Sequence, residues 1–183
     1  MLIEGKEFLK RQARLNGSID AMLEEADSSA TSLYKAKRLY KKILRIDNEL
    51  LYAHLQLGLL FFFEDEFRMA LRHFNHVVRI NATCIEGNFN LARTLQRVGQ
   101  FEKAVDAYQR VLAINPCHTN SIFNIAFLYD EMNMPRVALP YWKKYAQLDP
   151  AGNDHDLAVI RARRITACDV LMITSRQSLQ KTS

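Results

Sequence analysis

Glycine and proline are scarce in this 183-residue sequence, at six and four residues. So few turn-formers exclude a sandwich or barrel made of many short strands. Cysteine is scarcer still: Cys84, Cys117 and Cys168 form an odd count with no close-spaced pair. That excludes a disulfide framework and a zinc motif, and it suits a reducing compartment. Long apolar runs are missing as well. The longest, Leu57–Phe63, is far short of the roughly 20 residues that span a bilayer, so no membrane insertion is expected. Charge enters at Glu4, after only three residues, which leaves no room for the apolar stretch of a secretory signal. Together these features predict a cytoplasmic protein. Nor is charge of one sign concentrated: the net +5 is spread over the chain, with ten basic against eight acidic residues in 1–50, ten against nine in 51–150 and five against three in 151–183. A nucleic-acid binder concentrates such charge, so no nucleic-acid partner is expected.

What is present is an ordinary globular composition, 49% apolar and 25% charged, carrying an internal period. Residues 51–84, 85–118 and 119–152 align without a gap at a spacing of 34. The seventh and eighth places hold Leu57-Gly58, Leu91-Ala92 and Ile125-Ala126, and the eleventh holds Phe61, Leu95 and Tyr129. The twentieth holds Ala70, Ala104 and Ala138, the twenty-fourth Phe74, Tyr108 and Trp142, and the twenty-seventh Val77, Val111 and Tyr145. These spacings place each set on one helical face. Small residues at places eight and twenty let two antiparallel helices approach, and the large ring at place twenty-four fills the space beside them. Asp65, Gly99 and Asn133 fall where the chain must leave the first helix through a left-handed residue. Pro135 suits a helix opening, whereas Pro140, about a turn later, predicts a slight kink.

The pattern of a Leu-Gly pair, an aromatic, an Ala, a second aromatic and a closing Pro (Pro116, Pro150) resembles the tetratricopeptide repeat. The resemblance implies an all-α fold, a right-handed α-solenoid of antiparallel helix pairs. Residues 1–50 are expected to form degenerate N-terminal helices or a partial repeat, in which Leu33, Ala36, Tyr40 and Ile43 keep the second-helix pattern and Ile19, Met22, Leu23 and Ala26 make a short amphipathic helix. Three full repeats (51–84, 85–118, 119–152), a capping helix (153–173) and a polar tail (174–183) follow.

No phosphate loop, paired-carboxylate motif or nucleophile elbow occurs, so no catalytic residue and no cofactor is assigned and the chain is read as a non-enzyme. His73 and His76, three apart, are read as solvated surface residues and not as metal ligands. The three thiols are given no chemistry. The basic stretch Lys35, Lys37, Arg38, Lys41, Lys42 and Arg45 is read as the solvated outer face of a helix.

In the family the resemblance points to, first helices line a concave groove that holds a protein or peptide partner. The corresponding residues are Tyr52, Leu55, Gln56, Leu59 and Phe62 or Phe63; then Glu86, Phe89, Asn90, Arg93 and Arg97; then Asn120, Phe123, Asn124, Phe127 and Asp130 or Glu131. Amides recur at the sixth place, as Gln56, Asn90 and Asn124. This ladder resembles one that pairs with a peptide main chain in tetratricopeptide superhelices, since an amide offers both donor and acceptor. The clamp for the acidic chaperone terminus would need Lys and Asn where Leu55 and Leu59 stand, and is not expected. The reading is a protein-interaction scaffold or adaptor. The alternatives are a cytoplasmic chaperone for secreted translocator proteins and, from another class, a binder of nucleic acid or anionic surfaces through the 35–45 stretch and Arg161, Arg163 and Arg164.

Overall fold

Strong 3.6-residue periodicity with turn residues only at regular intervals gives helices separated by short links. The computed structural model describes residues 16–28 and 30–180, and among these there are nine helices and no strand. They are α1 (16–27), α2 (Leu33–Ile46), α3 (Leu51–Phe63), α4 (Phe67–Ile80), α5 (Ile85–Arg97), α6 (Phe101–Ile114), α7 (Thr119–Glu131), α8 (Pro135–Leu148) and α9 (His155–Gln180). Two compact units are distinguished, one ending at Val98 and the other beginning at Gly99.

The links repeat with the sequence. Asp65, Gly99 and Asn133 have φ of 57°, 75° and 57°, the left-handed conformation that turns each first helix into its second. Each second helix closes on an Asx residue 34 places after the last: the backbone N–H groups of Asp47, Asn81, Asn115 and Asp149 donate to Ile43, Val77, Val111 and Tyr145. The side-chain oxygens of Asp47, Asn81 and Asn115 accept from the N–H two residues on, at 3.0–3.1 Å. Such Asx turns stop a helix without proline. The next first helix is then capped by whatever acceptor is present: Cys84 Sγ accepts from the Gly87 N–H, and His118 Nδ1 from the Ser121 N–H.

In the unit ending at Val98, α1 buries Ile19, Met22 and Ala26, and α2 buries Ala36, Tyr40 and Ile43. Helix α4 buries Ala70, Phe74 and Val77 completely, against Leu57, Gly58 and Phe61 of α3. Gly58 is required there: a Cβ on it would lie 2.5 Å from Phe74 Cε1. In the other unit, Ala104, Tyr108 and Val111 line α6, and Ala138, Trp142 and Tyr145 of α8 pack with Ile122 and Ala126 of α7 and Ala158 and Ala162 of α9. Burying each ring of the Phe74, Tyr108, Trp142 series contributes about 1.5–3 kcal/mol, so the second helices are committed to the core. Pro140 lies inside α8, which continues through it. Helix α9 runs to Gln180, seven residues past the expected end of the capping helix, because residues 174–180 contain no glycine or proline to stop it. Residues 181–183 lie outside the described residues, as do 1–15.

Candidate functional site

The second helices bury their repeat-pattern residues in packing, and the binding residues expected from sequence lie on the first helices. On α3, Leu55, Gln56 and Leu59 are half-buried and Phe63 is 71% exposed. On α5, Phe89, Asn90 and Arg93 are half-buried and Arg97 is exposed. Phe62 is buried, and two guanidinium groups roof it: Arg93 lies 4.7 Å and Arg97 5.8 Å from its ring centre. Arg93 also lies 5.9 Å from the Phe89 ring and Arg97 4.8 Å from Phe67. Such stacking is worth roughly 0.5–1 kcal/mol per contact at an exposed site and holds the planar fork in place. Arg93 donates to Asn90 Oδ1 at 3.4 Å, and Arg97 pairs with Asp65 at 2.9 Å. Tyr52, although 41% exposed, has a structural duty: its hydroxyl donates to Asp27 Oδ2 at 2.8 Å, and Tyr40 donates to the other oxygen. One carboxylate thus ties α1 to α2 and α3, and both phenols are pushed up by burial and by that carboxylate.

On α7, Asn124 and Phe127 are half-buried. Phe123 is a wedge between α7 and α8, edge-on to Trp142 with centroids 5.4 Å apart and 5.2 Å from Tyr145. Its removal therefore disturbs folding as well as any face it presents. Asp130 is taken as well, accepting from Trp142 Nε1 at 3.0 Å with Arg161 at 3.7 Å. Glu86, Asn120 and Glu131 are exposed.

The three sixth-place amides share a local geometry. Asn90 Nδ2 donates to the Glu86 carbonyl at 3.0 Å and Asn124 Nδ2 to the Asn120 carbonyl at 2.8 Å, while Gln56 bonds the Tyr52 hydroxyl. Each turns back to the residue four earlier, which orients the amide and leaves its second N–H free of that bond.

Two expectations need correction. His73 and His76 are only half-exposed and not free on the surface: they close on His54, which is buried, with His73 Nδ1 2.9 Å from His54 Nδ1 and the His76 ring centre 4.0 Å from that of His54. Burial, then the neighbouring charges, hold the His73 imidazole down to about 4. The basic stretch is not wholly an outer face, since Lys37 pairs with Glu64 and lies 4.4 Å over the Phe61 ring, and Lys35 pairs with Glu25. Two buried polar residues, Asn88 and Thr94, were not singled out by pattern. Asn88 Nδ2 bridges the Ala82 and Cys84 carbonyls at 2.9 Å each, and Thr94 Oγ1 donates to the Asn90 carbonyl at 2.6 Å. The signal existed: His54 and Asn88 share the fourth place of their repeats, and each bonds a carbonyl six residues back.

Among the described residues no group of three or more His, Cys, Asp or Glu is arranged to hold a metal ion, and no helix is long and apolar enough to cross a membrane. Burial pushes the Cys84 thiol up, away from the reactive thiolate.

Comparison with known proteins agrees with this architecture. Residues 85–116 match the family model described as "Tetratricopeptide repeat". No curated protein matches the chain in sequence. Among solved structures, MamA superposes with a TM-score of 0.67 at 19% identity, covering 82% of this chain and 91% of that one. A MamA RS-1 double mutant gives 0.66 at 15% identity, covering 87% and 95%. YrrB, described as a TPR protein with an unusual peptide-binding site, gives 0.62 at 22% identity, covering 86% and 88%. One repeat is matched in sequence, and the helix pairs superpose on these solenoids, so the fold is that of a tetratricopeptide-repeat solenoid.

Proposed function

We propose that this chain is a non-catalytic scaffold or adaptor that binds an extended or helical peptide of a partner protein along its first helices. Tetratricopeptide proteins in general mediate protein–protein interaction, and one solved neighbour, YrrB, is described as having a peptide-binding site. The observation that carries the reading is a division of labour. Second helices spend their large residues in the core, whereas first helices keep half-buried Leu55, Leu59 and Phe89 with Gln56 and Asn90 in the unit ending at Val98, and Phe127 with Asn124 in the other. The apolar members supply pockets for alternate side chains, and the pre-oriented amides supply main-chain pairing. Arg93, stacked over Phe62 and Phe89, adds a fixed guanidinium to the first of these sets. Tyr52 and Arg97 flank it but already hold Asp27 and Asp65. Free thiols at Cys84, Cys117 and Cys168 suit a cytoplasmic setting.

Site-specific photocrosslinking in the native cell lysate tests this. A photoreactive residue at Leu59, Asn90 or Asn124 is expected to capture one discrete partner. The same probe at exposed Arg68, Lys103 or Lys143, on the second helices, is expected to capture none. Adducts formed only from the second-helix positions overturn the reading.

A further inference from the structure

Three imidazoles from two helices meet at the turn that joins α2 to α3. His54 Nε2 lies 3.0 Å and His76 Nε2 3.2 Å from the same Asn48 carbonyl oxygen. A carbonyl only accepts, so both rings carry their proton on Nε2. That leaves His54 Nδ1 as a lone pair, and the His73 Nδ1 facing it at 2.9 Å must be the N–H donor. His76 Nδ1, also a lone pair, accepts from Arg79 Nη2 at 3.2 Å. Every contact is therefore satisfied by one set of neutral tautomers. A second proton on His54 would set two N–H groups against each other at hydrogen-bond distance. A second proton on His76 would face a guanidinium. His73 has its Nε2 for a further proton, but the ring is stacked on Phe61 at 5.5 Å, with Lys41 of α2 and Arg72 of α4 beside it. The charged groups facing the cluster are thus Lys41, Arg72 and Arg79, against one carboxylate, Asp47 of the turn.

We propose that this histidine cluster is an acid-released latch. In its neutral form it clamps the Asn48 turn and seats the α1–α2 helix pair on α3 and α4, and protonation opens it. Other polar ties across that seam include the Asp27 carboxylate to Tyr52, Lys37 to Glu64, and Lys37 and Lys41 over the Phe61 ring, beside the buried Ala36, Tyr40 and Ile43 of α2. Burial holds His54 and His73 below the ordinary imidazole value, His73 to about 4. With the folded value depressed, the unfolded or opened chain binds more protons. Stability is then full above about 6.5 and falls progressively as pH drops towards 4. Because His73 is only half-buried, the full shift is discounted, and opening of the α1–α2 pair is expected to rise about tenfold between pH 7 and pH 5.

Side-chain nitrogen NMR on the full chain is the direct test. At pH 7.5 it should report Nδ1–H for His73 and Nε2–H for His54 and His76. On acidification His54 should stay neutral below 6.5 and His73 well below it, and when they protonate, amide exchange protection around 43–49 should fall in the same pH step. Titration of these rings at the ordinary value of about 6.5, or a His73 carrying its proton on Nε2, overturns the proposal. A second measurement uses His73→Asn, whose side-chain N–H stands at the position of the Nδ1 donor but cannot be protonated. Its melting temperature should fall less between pH 7.5 and pH 5 than that of the wild type, and an equal fall also overturns the latch. If this variant does not fold, the wild-type titration still decides.

Discussion

Replacing Gly58 by Ala adds one methyl group to the closest approach of α3 and α4, and its effect can be worked out from the geometry. The new Cβ would lie 2.5, 2.8 and 2.9 Å from Cε1, Cζ and Cδ1 of Phe74. Carbon atoms prefer about 3.5–4.0 Å, so the ring must retreat by roughly 1 Å. Phe74 is fully buried and has nowhere to go without moving Ala70 or Val77, both also at 0% exposure. Overpacking of this kind costs about 1–3 kcal/mol. Against it, Ala is favoured over Gly inside a helix by about 1 kcal/mol. The net expectation is a loss of up to about 2 kcal/mol, read as a melting temperature lower by up to about 8 °C, since each kcal/mol moves a chain of this size by about 2–4 °C. A double-mutant cycle isolates the cause: Phe74→Leu, which withdraws the ring, should make Gly58→Ala harmless or stabilising, with a coupling above about 0.5 kcal/mol. If Gly58→Ala alone raises the melting temperature, helix propensity acts unopposed and the close crossing is wrong.

Asn88→Ala removes the side-chain donor from the Ala82 carbonyl, while the Cys84 carbonyl keeps the Asn88 backbone N–H, and should destabilise by about 1–3 kcal/mol, with amide exchange accelerating around 82–88 in hydrogen-exchange mass spectrometry. Trp142→Phe keeps most of the ring but removes the Nε1–H that Asp130 accepts, and urea unfolding followed by circular dichroism should show a loss of about 1–3 kcal/mol. Phe123→Ala should lower stability as well as partner binding, because the ring packs on Trp142 and Tyr145, and an unchanged melting temperature would remove it from the α7–α8 seam.

The helix pairs were legible because their cause is periodic. A packed pair needs a small residue at places eight and twenty and a ring at twenty-four, and the sequence repeats that demand every 34 residues down to buried Ala36, Tyr40 and Ile43 in α2. The left-handed links were legible for the same reason, even at Asp65, where neither glycine nor asparagine stands. The histidine cluster was not, because His54 and His73 are on different helices and their meeting depends on the α3–α4 register rather than on any local spacing. Tyr52 and Asp27 likewise meet across 25 residues, so a side chain assigned to the binding strip from its helical place proves to be a tie for α1. Helix α9 runs on past residue 173 because polarity alone ends no helix, a point that an apolar-stripe argument overlooks.

The central claim is that first-helix amides, and not the basic outer residues, hold the partner. Calorimetry of the partner captured by crosslinking, titrated into Asn90→Ala/Asn124→Ala, decides it. The pair of substitutions should weaken binding by about 1–3 kcal/mol while leaving the melting temperature nearly unchanged, since each amide's observed bond is to its own helix and not to the core. Substituting Lys42 and Arg45 with Ala on exposed α2 should leave binding intact. Retained affinity in the asparagine pair, with loss in the basic pair, contradicts the account and assigns the interaction to the basic surface.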